Sequence, residues 1–125
     1  MTTTTLRDPE NGIIKTNFSD AFESAELEAQ LAPFFEGCPR GAHLFILSDI
    51  SPLEEEPSPQ DFIDVLIGLC SRCPKVPVLA AVVSKSYMGY APGRIIYPVA
   101  SQVGLKLRVF PDQSSASAWL LVGLE

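Results

Sequence analysis

The sequence predicts an α/β domain with a mostly parallel central sheet of about five strands, an N-terminal antiparallel hairpin and about four helices. Three observations predict it. Two short, nearly continuous apolar runs, "AHLFILSD" and "VPVLAAVV", have the character of strands buried on both faces. The stretch between them repeats its apolar residues at helical spacing, so strand, helix and strand follow one another. The chain also opens on two β-prone runs joined by "PENG", whose Asn-Gly pair is a strong short-range hairpin signal.

Taken in order, "TTTTLRD" and "IIKTNF" form that hairpin. Ser19 then stands as the N-cap of a helix in "DAFESAELEAQLAPFFEG", which is rich in helix formers and acidic in its first turns. Pro33 is expected to kink or end the helix, because proline lacks the N–H and clashes with the preceding turn; Gly37 finishes the segment. The strand "AHLFILSD" follows. Residues 59 to 73, "PQDFIDVLIGLCSRC", place Phe62, Val65, Leu66, Leu69, Cys70 and Cys73 on one helical face. After "VPVLAAVV", Pro92, Gly93 and Pro98 interrupt the next crossover, which predicts a loop and then an irregular helix near residues 92 to 103. "LKLRVF" alternates as a strand, and "PDQSSASAWLLVGL" is a closing helix with Asp112 as its N-cap.

Bulk properties narrow the function. A chain of 125 residues, 46% hydrophobic and 19% charged, suits one domain, residues 1 to 125, that folds on its own core. Its formal charge is -6 and its nine basic residues are scattered, which argues against nucleic acid, since binding there rests on clustered Lys and Arg. No apolar run reaches the roughly 18 to 20 residues of a membrane span, and the N-terminus lacks the pattern of a signal peptide. A cytoplasmic protein is expected.

Three cysteines, an odd number, fit reduced thiols there. Cys70 and Cys73 form a C-x-x-C, but at the end of a predicted helix, where the dipole opposes a thiolate. With one histidine, His43, and no second C-x-x-C, the ligands of a metal site are lacking. His43 starts a strand, opposite the edge where a nucleophile would meet it. "GYAPG" matches no phosphate-binding fingerprint. No catalytic residue, metal or cofactor is assigned.

Ligands of parallel sheets meet the loops at the carboxyl ends of the strands. Two loops qualify, residues 49 to 58 and 84 to 91. In the first, "SDISPLEEEPSPQDF" holds Asp49, the acidic run Glu54 to Glu56, and Ser58 before Pro59 and Asp61. Ser58 is an ordinary N-cap by this chemistry. The acidic run is a solvated loop, or with Asp49 a weak divalent-cation site or a face for a basic partner. In the second, "SKSYMGYAPGRIIY" gathers Ser84, Lys85, Ser86, Tyr87, Tyr90, Arg94 and Tyr97 around Met88; tyrosine and arginine dominate contact surfaces, but the tyrosines equally cover a core edge.

The order hairpin, helix, then strand-helix units closing on "LKLRVFPDQSSASAWL" resembles the STAS domains, and among them the SpoIIAA-like proteins. The resemblance covers nearly the whole chain. It implies a non-enzymatic regulatory domain that binds another protein, with Ser58 near the place of the phosphorylated serine of anti-sigma-factor antagonists. The Asp-Ser-Ser/Thr-Gly motif of those proteins is absent, and Glu54 to Glu56 would repel a phosphoserine. Some SpoIIAA-like proteins are also similar to lipid-binding domains, which makes a small apolar or lipid-like ligand beside Tyr87, Met88 and Ile95 the alternative. "LFILSDISP" is similar to the receiver-domain strand that presents a phosphorylatable aspartate, here Asp49, although the acidic pair and final lysine of receivers are missing. An enzyme would need a polar constellation assembled only by the fold. A homodimer is expected as the commonest closed arrangement.

Overall fold

The computed structural model describes residues 3–10, 12–18, 21–38, 42–53, 55, 59–73, 77–84 and 104–124. They form strands β1 (Thr3–Arg7) and β2 (Ile14–Phe18), helix α1 (Ser24–Glu36), β3 (Leu44–Asp49), α2 (Pro59–Arg72), β4 (Val78–Val83), β5 (Leu105–Phe110) and α3 (Gln113–Leu124). The sheet has five strands in the order β1-β2-β3-β4-β5. β1 and β2 are antiparallel; every later pair is parallel. The expected mixed α/β sheet with its N-terminal hairpin is therefore present. Three helices lie among the described residues, and the fourth, expected near residues 92 to 103, falls outside them.

The alternation of side chains along each strand divides the core in two. Ile14, Phe18, Ile46, Ala80, Val82, Leu107 and Val109 face α1 and α2, with Leu27, Leu31 and Phe35 of α1 and Ile63, Leu66 and Leu69 of α2. Phe45, Leu47, Ala81, Val83 and Phe110 face the opposite way, against Ala116 and Leu120 of α3. The domain thus has three layers. β3 is buried at every position, as a central strand covered on both faces must be.

Two details of α1 depart from the sequence reading, and the hairpin takes the expected antiparallel form. α1 begins at Ser24, and Ala21 to Glu23 precede it, so the helix starts later than a Ser19 cap requires; Glu23 occupies the cap position without a side-chain hydrogen bond. Leu27, Leu31 and Phe35, spaced one turn apart and buried, fix which turns are helical, and tertiary packing outweighs the capping signal. Pro33 lies inside α1 and does not end it. It sits in the last turn on the exposed side, and the Gly37 N–H donates to the Pro33 carbonyl at 2.9 Å, so the closing turn forms without the proline's own N–H. In the hairpin, the last cross-strand pair is Arg7 with Ile14, leaving a connection longer than two residues. Gly12 takes φ 74° there, the left-handed conformation for which glycine is suited. Asp8 braces the turn: its carboxylate accepts from the Glu10 N–H at 2.9 Å and its carbonyl from the Gly12 N–H at 2.8 Å.

Candidate functional site at the carboxyl edge

Because β2 to β5 are parallel, their carboxyl ends share one edge, with Asn17, Asp49, Val83 and Phe110 in one register row. The ladder continues past the strands. The Ile50 N–H donates to the Val83 carbonyl at 2.9 Å, and the Ser84 N–H to that of Phe110 at 3.0 Å. Ile50 and Leu53 then turn into the α1/α2 core, where both are almost fully buried. The first four residues after Asp49 are thus anchored to the core by two aliphatic side chains.

Asp49 is the centre of this edge. Only 8% of it is exposed. Its Oδ1 accepts from the Ser51 N–H at 3.0 Å and from the Ser51 hydroxyl, an Asx-turn arrangement that aims the chain away from the sheet. Its Oδ2 accepts from Nε2 of Gln113 at 2.7 Å. Gln113 is the first residue of α3, so one carboxylate joins the β3 loop to the start of the last helix. Hydrogen bonds to an ionised acceptor are the stronger kind, and three of them suit a carboxylate withdrawn from water. Asp112, next to Gln113, caps α3: its Oδ1 accepts from the Ser115 N–H at 2.8 Å, as the sequence predicted.

Other expected residues fall as follows. Ser58, Tyr87, Met88, Tyr90 and Arg94 lie outside the described residues, as do Glu54 and Glu56. Pro59 does begin α2. His43 is exposed just before β3, at the edge opposite Asp49, and its ring packs 6.2 Å from that of Phe45. Cys70 is buried near the end of α2, and Cys73 follows the helix. Burial, and then the neighbouring Cys73 thiol, push the Cys70 thiol up from an ordinary 9.0 to about 11, so it stays protonated near neutrality. Among the described residues no group of three or more His, Cys, Asp or Glu side chains could hold a metal ion. An open groove of about 450 Å³ lies at the hairpin beside Leu6, Lys15 and Asn17, where Lys15 and Asp8 pair at 3.6 Å.

Two features were not foreseen. On the α1/α2 side of the sheet, Thr5, Thr16 and Ser48 stand side by side in register, and the hydroxyl of each is buried with no hydrogen-bond partner among the described residues. On the α3 side, the Arg108 guanidinium rests 5.5 Å from the Phe110 ring and 5.9 Å from the Trp119 ring. The second had a partial signal in the alternation of "LKLRVF", which places Arg108 and Phe110 on one face.

Among the described residues no helix is long and apolar enough to cross a membrane. No family model matches the chain, and no curated protein matches it.

Proposed function

We propose that the chain is a non-enzymatic, regulatory protein-binding domain of the STAS/SpoIIAA-like kind, acting in the cytoplasm and able to form a dimer. The observation that carries the reading is the outward side of α3. The sequence of this helix, "QSSASAWLLVGL", is apolar over its second half on all sides, yet Leu121 and Val122 remain 41% and 69% exposed. An all-round apolar helix ordinarily lies within a core, and apolar surface grouped on one element marks a contact site. The hairpin, the first helix and the units β3–α2 and β5–α3 among the described elements are compatible with that resemblance, while the helix expected between β4 and β5 lies outside the described residues. Asp49 adds support, because both of its oxygens are engaged in holding the edge together. A phosphoacceptor role at Asp49 would first require releasing Ser51 and Gln113.

The test is capture of the intact tagged chain from its own cells, comparing wild type with Val122→Asp, a change at an exposed position that leaves the core untouched. Stoichiometric recovery of a protein by wild type and its loss with the variant is the expected result. Equal recovery by both would remove α3 from the account. Sedimentation of the same samples reports the dimer.

A second reading is favoured by the Thr5, Thr16 and Ser48 row. Buried hydroxyls inside an apolar layer would receive the polar end of a small apolar or lipid-like ligand.

A further inference from the structure

Arg108 is the fourth residue of β5, on the α3 side of the sheet with Lys106 and Phe110. The Phe110 and Trp119 rings are 5.7 Å apart and inclined at 45°, and the guanidinium lies against both. Its Nε is shielded from solvent, and among the described residues it has no hydrogen-bond partner and no carboxylate pairs with it. That is notable in a chain of fifteen acidic and nine basic residues. Arginine presents its donors in a planar fork that fits a carboxylate with two parallel bonds, and stacking on aromatic rings fixes that fork before anything binds. Around it, Lys106 is an exposed second cation, and Val122 lies one turn beyond Trp119 on the same flank of α3. The surface therefore offers an oriented cation beside an aromatic and aliphatic floor.

Resting on the protein-binding reading, we infer that this β5–α3 surface takes an acidic segment of a partner protein. A Glu or Asp carboxylate of the partner meets Arg108, and a neighbouring apolar side chain covers Trp119 and Val122. The charge pattern selects the occupant. The two cations sit on a chain whose net charge of -6 would otherwise repel an acidic partner, so they supply the local complementarity that fixes its place. The apolar floor selects a peptide over a small anion, since an anion alone would leave Val122 uncovered. Arg and Trp are also the side chains in which contact energy concentrates.

Trp119 is the sole tryptophan, so its emission reports this surface directly. The probe is a blocked six-residue peptide alternating glutamate and leucine, titrated into the full chain, with a glutamine-for-glutamate peptide as comparison. The expected result is a saturable change in Trp119 emission that weakens with added salt. Affinity should fall at least about tenfold in Arg108→Gln and less in Arg108→Lys, which keeps the charge but loses the fork. Val122→Asp, at an exposed position, should weaken binding by repulsion and serves where an Arg108 variant fails to fold.

Four results would overturn the inference: no saturable change, equal binding of the glutamine peptide, an equal response to acetate at matched carboxylate concentration, or a peptide-free dimer that Arg108→Gln dissolves. The last two would assign the surface to a small anion or to a second copy of the chain. If the peptide fails while the chain still captures a cellular protein through α3, only the acidic-segment assignment falls. If capture fails as well, the protein-binding reading falls with it.

Discussion

Replacing Asp49 separates a structural carboxylate from a reactive one. Asp49→Ala deletes the acceptor of three hydrogen bonds, from the Ser51 N–H, the Ser51 hydroxyl and Gln113 Nε2. A hydrogen bond to a charged group contributes about 1.5–3 kcal/mol net. Ser51 is only half-buried and Gln113 exposed, so their freed donors regain water and the sum is well below three full bonds. Removing a desolvated charge returns part of the remainder. We expect a loss of about 2–3 kcal/mol, which in a domain of this size lowers Tm by about 8–12 °C.

Asp49→Asn keeps the acceptor facing Ser51. Rotation of the Gln113 amide then restores the second contact, so this variant should lose only about 1 kcal/mol. Urea denaturation with an unchanged m-value measures both. A change within about 0.5 kcal/mol in Asp49→Ala, or a gain in stability, would show that these hydrogen bonds do not hold the edge together. Residues retained for chemistry commonly cost stability, so that outcome would turn attention to Asp49 as a reactive group.

Further variants test other parts of the structure. Thr16→Val replaces a fully buried hydroxyl, without a partner among the described residues, by a methyl group and should raise stability by about 1 kcal/mol in the same assay; a loss would show that the hydroxyl has a bound partner. Asp112→Ala removes the cap of α3 and should cost about 1 kcal/mol, with Asp112→Ser restoring most of it. Cys70 should react with iodoacetamide far more slowly than Cys73 at pH 8. Its folded pKa is raised, so the unfolded chain releases this proton first. Stability contributed by the buried thiol should be intact below pH 9 and fall as pH rises towards about 11, and Cys70→Ala should flatten that slope in a pH series of denaturation curves.

The legible parts of the fold are those in which short-range pattern and tertiary burial agree. β3 and β4 could be read because a strand covered by helices on both faces must be apolar at nearly every position, and β5 because Lys106 and Arg108 alternate with buried neighbours. The Asp112 cap was legible because it acts within one turn. The start of α1 was not: Ser19 carries a local capping signal, whereas the burial of Leu27, Leu31 and Phe35 on the sheet depends on partners distant in the chain. The same distinction divides the site. Asp-x-Ser at residues 49 to 51 contained the turn, but Gln113 lies 64 residues away, and only the fold brings it to Asp49. The hydroxyl row needed the register of three strands to be seen at all.

The proposed protein-binding role requires that the chain leave its own cells with a partner attached. Native mass spectrometry of the chain purified gently from its own cells tests that most directly, since it weighs subunits, covalent modifications and retained ligands together. The expected result is a complex containing a second protein, with Asp49 unmodified. A chain released without a protein partner and carrying a small apolar molecule would contradict it, and would make the Thr5, Thr16 and Ser48 row the place to look for that molecule's polar end.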